Sequence, residues 1–175
     1  ALANTADALV LVRDLFGAAT LVDAGTGGFS AMATGDWNQD GTPDLVLVRY
    51  FTGQGISLRG DGIGGFTVAG TFDAGVHPTS ILAGDWNADA VTDLAVTNES
   101  SNSVSVFLGL TGGGFQAASV CVVGAGPYGV SSGDWNNDGT PDLAVANYWG
   151  NSVSILVGIG AGFFQPLSAM DSGVN

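Results

Sequence analysis

Gly35-Asp36-Trp37-Asn38-Gln39-Asp40-Gly41-Thr42-Pro43-Asp44 recurs as Gly84-Asp85-Trp86-Asn87-Ala88-Asp89-Ala90-Val91-Thr92-Asp93, and again as Gly133-Asp134-Trp135-Asn136-Asn137-Asp138-Gly139-Thr140-Pro141-Asp142. Asp36 to Asp85 is 49 residues, and Asp85 to Asp134 is again 49. A fixed period of that size marks an array of like units. The rest of the chain is read from this frame.

Within each copy, side-chain oxygens fall at positions 1, 3, 5 and 9, as Asp, Asn, Asp and Asp. Ca2+ takes roughly six to eight hard oxygen ligands in flexible geometry, so a dense oxygen set in a short turn suits it. The candidate ligands are Asp36, Asn38, Asp40 and Asp44; then Asp85, Asn87, Asp89 and Asp93; then Asp134, Asn136, Asp138 and Asp142. Thr42, Val91 and Thr140, at position 7, would each add a backbone carbonyl. The start of the loop is similar to an EF-hand, but position 12 holds Leu47, Val96 or Val145 where an EF-hand has its bidentate Glu. Alternating β-branched residues follow, so the loop joins two strands. Asp, Asn and Gly also form ordinary turns for local reasons. Three copies in register, each with three carboxylates, favour up to three Ca2+ ions. Ala90 stands where the other copies have Gly, which makes Asp85–Asp93 the weakest expected site.

Composition sets the boundaries of function. The chain has 175 residues, 46% hydrophobic and only 11% charged, with 29 Gly, which fits one domain rich in strand and turn formers. Its formal charge is −13, and nine of the sixteen acids lie in the three loops. Three bound Ca2+ would bring the balance to about −7. The chain has no Lys, and Arg13, Arg49 and Arg59 form no basic patch, which argues against nucleic acid. No apolar run is long enough for a membrane-spanning helix. Cys121, the one cysteine, lies in the apolar run Ser119–Val123 and reads as a buried small hydrophobe with no disulfide partner in the chain. Weak calcium loops suit a secreted or periplasmic setting. No signal peptide is visible and the first residue is Ala, consistent with a processed or excised piece.

Each unit carries the same four strand signals. A strand such as Ser80–Ala83 enters the loop, and Leu45–Val48, Leu94–Val96 or Leu143–Ala146 leaves it. An alternating strand follows (Ile56–Leu58, Val104–Leu108, Val153–Val157), then a Gly-rich hairpin and a strand opened by Phe66, Phe115 or Phe163. Short strands with frequent turn signals and no helical period predict an all-β fold, a β-propeller of four-stranded antiparallel blades.

The acidic loop, the Asp-Leu-x-Val strand after it and the Gly-Gly-Phe hairpin resemble the FG-GAP/VCBS repeats of integrin-type propellers. The resemblance spans roughly residues 29–171, with Trp37, Trp86 and Trp135 where that family usually has Phe. It implies a calcium-stabilised propeller, usually extracellular, used in adhesion or in carbohydrate or protein binding, and sometimes attached to enzymes. The expected layout is a partial blade at 1–28 and blades at 29–77, 78–126 and 127–175. Ala1–Asn4 and Asp23–Gly25 align with the second strand onward of a unit, and Asp171–Asn175 stops where another first strand would begin. That leaves a four-bladed ring lacking an inner strand, a segment of a larger propeller, or a half completed by another copy, with the last two favoured by the otherwise open edge.

In an antiparallel meander, successive turns alternate between two ends. The acidic loops and Gly-rich hairpins therefore share one face, and the remaining connections share the other. Aromatics and amides gather on that second face, so Tyr50, Asn98, Tyr128, Asn147, Tyr148 and Trp149 are the candidate ligand contacts for a glycan or protein. Their alternative role is capping blade packing. The three recurrent Trp suit packing between blades better than a ligand cage. His77 is the only histidine and has no acid–base partner outside the loops, so a binding module of lectin or adhesion type is expected over an enzyme. A secreted polysaccharide-active enzyme, or a module of one, is the second reading, and a self-assembling structural propeller half the third. Arg59-Gly60-Asp61 spells an adhesion tripeptide but lies in a hairpin where Gly and Asp are expected anyway, and Asn98-Glu99-Ser100 is a glycosylation sequon.

Overall fold

A computed structural model of the protein describes residues 9–12, 19–22 and 28–167. Three four-stranded antiparallel sheets follow one another along the chain. The first contains β3 (Phe29–Gly35), β4 (Asp44–Arg49), β5 (Gln54–Gly60) and β6 (Phe66–Asp73). The second contains β7 (Pro78–Gly84), β8 (Asp93–Asn98), β9 (Ser103–Phe107) and β10 (Ser119–Val122). The third contains β11 (Pro127–Gly133), β12 (Asp142–Asn147), β13 (Ser152–Gly158) and β14 (Phe164–Pro166). Ahead of them β1 (Leu9–Val12) pairs antiparallel with β2 (Ala19–Val22). These are propeller-type blades. The short strands expected from the sequence are present as sheets, while the segments Ala1–Asn4, Asp23–Gly25 and Asp171–Asn175 lie outside the described residues. Among the described residues no helix is long and apolar enough to cross a membrane.

The second strand of the middle blade is sandwiched, and its sequence says so. Every residue of β8 is buried. Leu94 and Val96 pack with Trp37, Val46 and Val48 of the first blade, while Ala95 packs with Leu143, Val145 and Leu156 of the third. A strand whose alternate side chains meet apolar partners on both faces must be apolar on both, which gives a continuous run instead of alternation. Cys121 joins the second of these clusters, and burial pushes its thiol pKa up.

The loop tryptophans join neighbouring blades. Trp37 meets Phe115 edge-on at 6.1 Å, and Trp86 meets Phe164 the same way at 6.1 Å. Phe164, not Phe163, therefore occupies the place read for Phe163 in the third blade, as the 49-residue period from Phe66 and Phe115 requires. Phe163 is exposed. Trp37 and Trp86 are 3% and 4% exposed, whereas Trp135, with no following sheet among the described residues, is 50% exposed.

One local feature was not visible in the sequence. Each first strand shifts register near its start, between Phe29 and Ala31, Pro78 and Ser80, and Pro127 and Gly129. The extra residues are Ser30, Thr79 and Tyr128. A bulge re-aims the side chain it carries. The Ser30 and Thr79 hydroxyls donate to Pro78 O and Pro127 O, tying one blade to the next.

Trp86→Ala should cost about 3–5 kcal/mol in urea unfolding, as buried large-to-small changes do. Trp135→Ala should cost less than about 1 kcal/mol. Equal costs would remove the inter-blade role assigned to these rings.

Candidate metal loops and the opposite aromatic face

The three acidic loops have the same backbone. In the first, Asp36 Oδ1 and Oδ2 accept the amides of Asp40 (3.1 Å) and Gly41 (2.8 Å). Asn38 Oδ1 also accepts from Asp40 N, and Asp40 Oδ1 accepts from Thr42 N at 2.9 Å. Asp85, Asn87 and Asp89 repeat these bonds to Asp89, Ala90 and Val91, and Asp134, Asn136 and Asp138 repeat them to Asp138, Gly139 and Thr140. Ala90 reaches this shape with φ +64°, close to the +83° and +84° of Gly41 and Gly139. A side chain pays a steric penalty there, so the departure from Gly strains the loop without changing its course. The Thr42 amide holds the Asp40 carboxyl below the usual range, and the Thr140 amide does the same for Asp138.

The ninth position behaves differently. Asp44, Asp93 and Asp142 are buried. Asp93 Oδ2 accepts from Trp86 N at 2.9 Å and Oδ1 from Gly109 N at 2.8 Å. Asp44 bridges Trp37 N and Gly60 N, and Asp142 bridges Trp135 N and Gly158 N. One carboxylate thus fastens the acidic loop to the end of the third strand. A Cβ on Gly60, Gly109 or Gly158 would lie 2.2, 2.4 or 2.3 Å from the carbonyl of Pro43, Thr92 or Pro141, so the approach needs glycine. Burial pushes the Asp93 carboxyl up, against the two amide bonds that lower it.

The donor chemistry of these loops fits a hard cation: the side-chain donors are all oxygen, on a turn shaped alike in three copies. As they stand, the oxygens are turned to backbone amides, and among the described residues no three carboxylate, imidazole or thiol groups converge as a chelating cluster. Residues 36, 38, 40 and 44 and their counterparts would hold the ion, the ninth carboxylate also tying the loop to the third strand.

The opposite face gathers side chains from all three blades. Tyr50 OH and Trp149 Nε1 both donate to Glu99, the latter at 2.8 Å. These bonds, Tyr50's first, hold the Glu99 carboxyl below its usual range, and the bond to Glu99 raises the Tyr50 hydroxyl pKa. His77 stacks on Tyr50 at 4.5 Å, and its Nδ1 lies 2.6 Å from Ser100 Oγ. Tyr148 packs edge-on against Trp149 at 4.8 Å and lies 5.7 Å from Tyr128. Phe51, Tyr128, Tyr148 and Trp149 are exposed. Trp149 seats on Gly126, where a Cβ would fall 1.9 Å from its Cδ1.

Residues 85–145, running from the second acidic loop into the strand after the third, match the family model of the FG-GAP-like repeat. This segment is similar to an FG-GAP-like repeat. The match starts and ends within the blades already described, and the same loop geometry extends outside it to Asp36–Asp44. No curated protein matches the chain. The similarity suggests a repeat-type binding module.

Of the ligand contacts read from sequence, Tyr50, Tyr128, Tyr148 and Trp149 come together. Asn98 and Asn147 do not reach the surface: they are 1% and 3% exposed, and their amides donate to Ser105 and to Ser152 and Ser154. They sit at strand ends beneath the face, a correction that also makes the Asn98 sequon inaccessible in the folded chain. Glu99, His77, Phe51 and Ser100 lie in connections the sequence places on this face but were not among the expected contacts. The period held the signal, because Tyr50, Glu99 and Tyr148 are 49 residues apart, as are Phe51, Ser100 and Trp149.

Asp93→Ala should destabilise by about 2–4 kcal/mol, because two buried amides lose their acceptor. Ala90→Gly should stabilise by about 1 kcal/mol through relief of the left-handed alanine. Urea unfolding checks both, and an Asp93→Ala variant as stable as the parent would refute the bridging role.

Proposed function

We propose that the chain is a secreted or periplasmic binding module whose acidic loops take up Ca2+ and whose opposite face recognises a glycan or protein. The observation that carries this reading is the joining of Tyr50, Glu99 and Trp149, from three successive blades, under a surface of exposed aromatic rings. Loops on a rigid scaffold are the usual place for recognition. Rings with polar edges suit sugar faces and protein loops alike.

In this reading Ca2+ is a structural ion. It neutralises the carboxylates of Asp36 and Asp40, of Asp85 and Asp89, and of Asp134 and Asp138, which otherwise repel one another within single turns. Weak oxygen loops fill at extracellular calcium levels, which motivates the secreted setting. The ion stiffens one end of each blade, and Glu99 ties the other end together.

The test has two arms. EDTA should lower the melting temperature by about 5–10 degrees, and Asp36→Ala with Asp134→Ala should remove most of that sensitivity, leaving the Asp85–Asp93 loop's share. A melting curve indifferent to chelation would make the loops ordinary turns. On a glycan array and a panel of peptides, Trp149→Ala should lose the signals of the parent chain. Binding unchanged by Trp149→Ala would move the site elsewhere.

A further inference from the structure

The aromatic face holds the Glu99 carboxylate in a defined place. Glu99 is the only glutamate in a chain without lysine, and it lies between the first and third blades' rings. Each of its oxygens accepts one hydrogen bond, and a carboxylate oxygen has room for a second. Around it stand Tyr148, Trp149 and Tyr128, which are 63%, 64% and 54% exposed. Aromatic faces beside a fixed carboxylate attract organic cations, through the ring quadrupole and through charge. The chain's net charge, −13 and about −7 with three Ca2+ bound, adds a long-range pull of the same sign.

From this juxtaposition we propose that the Glu99 face binds a basic segment of a protein partner, an Arg or Lys side chain lying over Tyr148 and Trp149 with its charged end on the Glu99 carboxylate. The inference deepens the binding reading above and rests on it. Arg suits the site better than Lys, because its planar guanidinium can both stack on a ring and share two donors with a carboxylate. Charge complementarity favours this occupant over a neutral glycan, whose hydroxyls can hydrogen-bond the carboxylate but bring no opposite charge. His77, stacked on Tyr50, and Ser100 close the side of the cluster nearest the first blade. They leave the rings of the third blade as the open approach.

The probe is a tetra-arginine amide, with tetra-citrulline and a neutral glucan tetrasaccharide as comparisons, followed by tryptophan fluorescence and calorimetry on the full chain. Glu99→Gln, which keeps an oxygen to accept the Trp149 bond, should weaken tetra-arginine binding about fivefold. Tyr148→Ala, which leaves both Glu99 bonds in place, should weaken it about threefold. Asp61→Asn, which removes one charge from the acidic-loop end of the blades, should leave it unchanged, and tetra-citrulline should bind at least tenfold more weakly. Equal losses in Glu99→Gln and Asp61→Asn would reduce the effect to diffuse attraction and overturn the proposal. Trp149-dependent binding of the tetrasaccharide without tetra-arginine binding would overturn the cation and keep the binding face. No response to any probe would remove both.

Discussion

A buried carboxylate with two backbone partners holds each blade in shape. Asp44, Asp93 and Asp142 end the acidic loops, and each accepts the amide of the loop tryptophan and the amide of a glycine at the end of the third strand. Leaving such amides buried without an acceptor costs on the order of 1–3 kcal/mol each. The bridge fixes where the tryptophan leaves the chain, and so places its ring on the next blade. Packing between blades, and the position of every connection at the far end, follow from that placement.

This separates two roles that the repeated acidic sequence combines. Asp36, Asn38 and Asp40 and their counterparts shape the turn and carry the oxygen donors proposed for Ca2+. The ninth residue binds the turn to the sheet. Its burial fits that role beside any part it takes in holding an ion. The Ala90 loop follows the same course as its neighbours, so strain at φ +64° and not a different fold distinguishes the second unit.

Strand order and blade repeat were legible in the sequence because periods of two and of 49 residues are printed directly in it. The acidic loops were legible as candidate sites for the same reason. The far face was half legible. Exposed Tyr148 and Trp149 were expected, since aromatic residues in turn segments stand out. Asn98 and Asn147 were assigned to the surface because amides favour turns, but both finish second strands, where burial turns the amide inward onto serine hydroxyls. Glu99 was not among the expected contacts because its partners come from the blades before and after it, an arrangement no local pattern records. The bulges that displace Ser30, Thr79 and Tyr128 were hidden likewise, since a register shift of one residue leaves no mark in composition.

The claim that a single carboxylate ties each acidic loop to its sheet is open to a direct measurement. Native-state hydrogen exchange reads the amides of Trp86 and Gly109 individually, both bound by Asp93. They should exchange with the slow amides of β8, orders of magnitude behind the hairpin-tip amide of Gly112. Exchange of Trp86 and Gly109 at the rate of Gly112 would contradict the account.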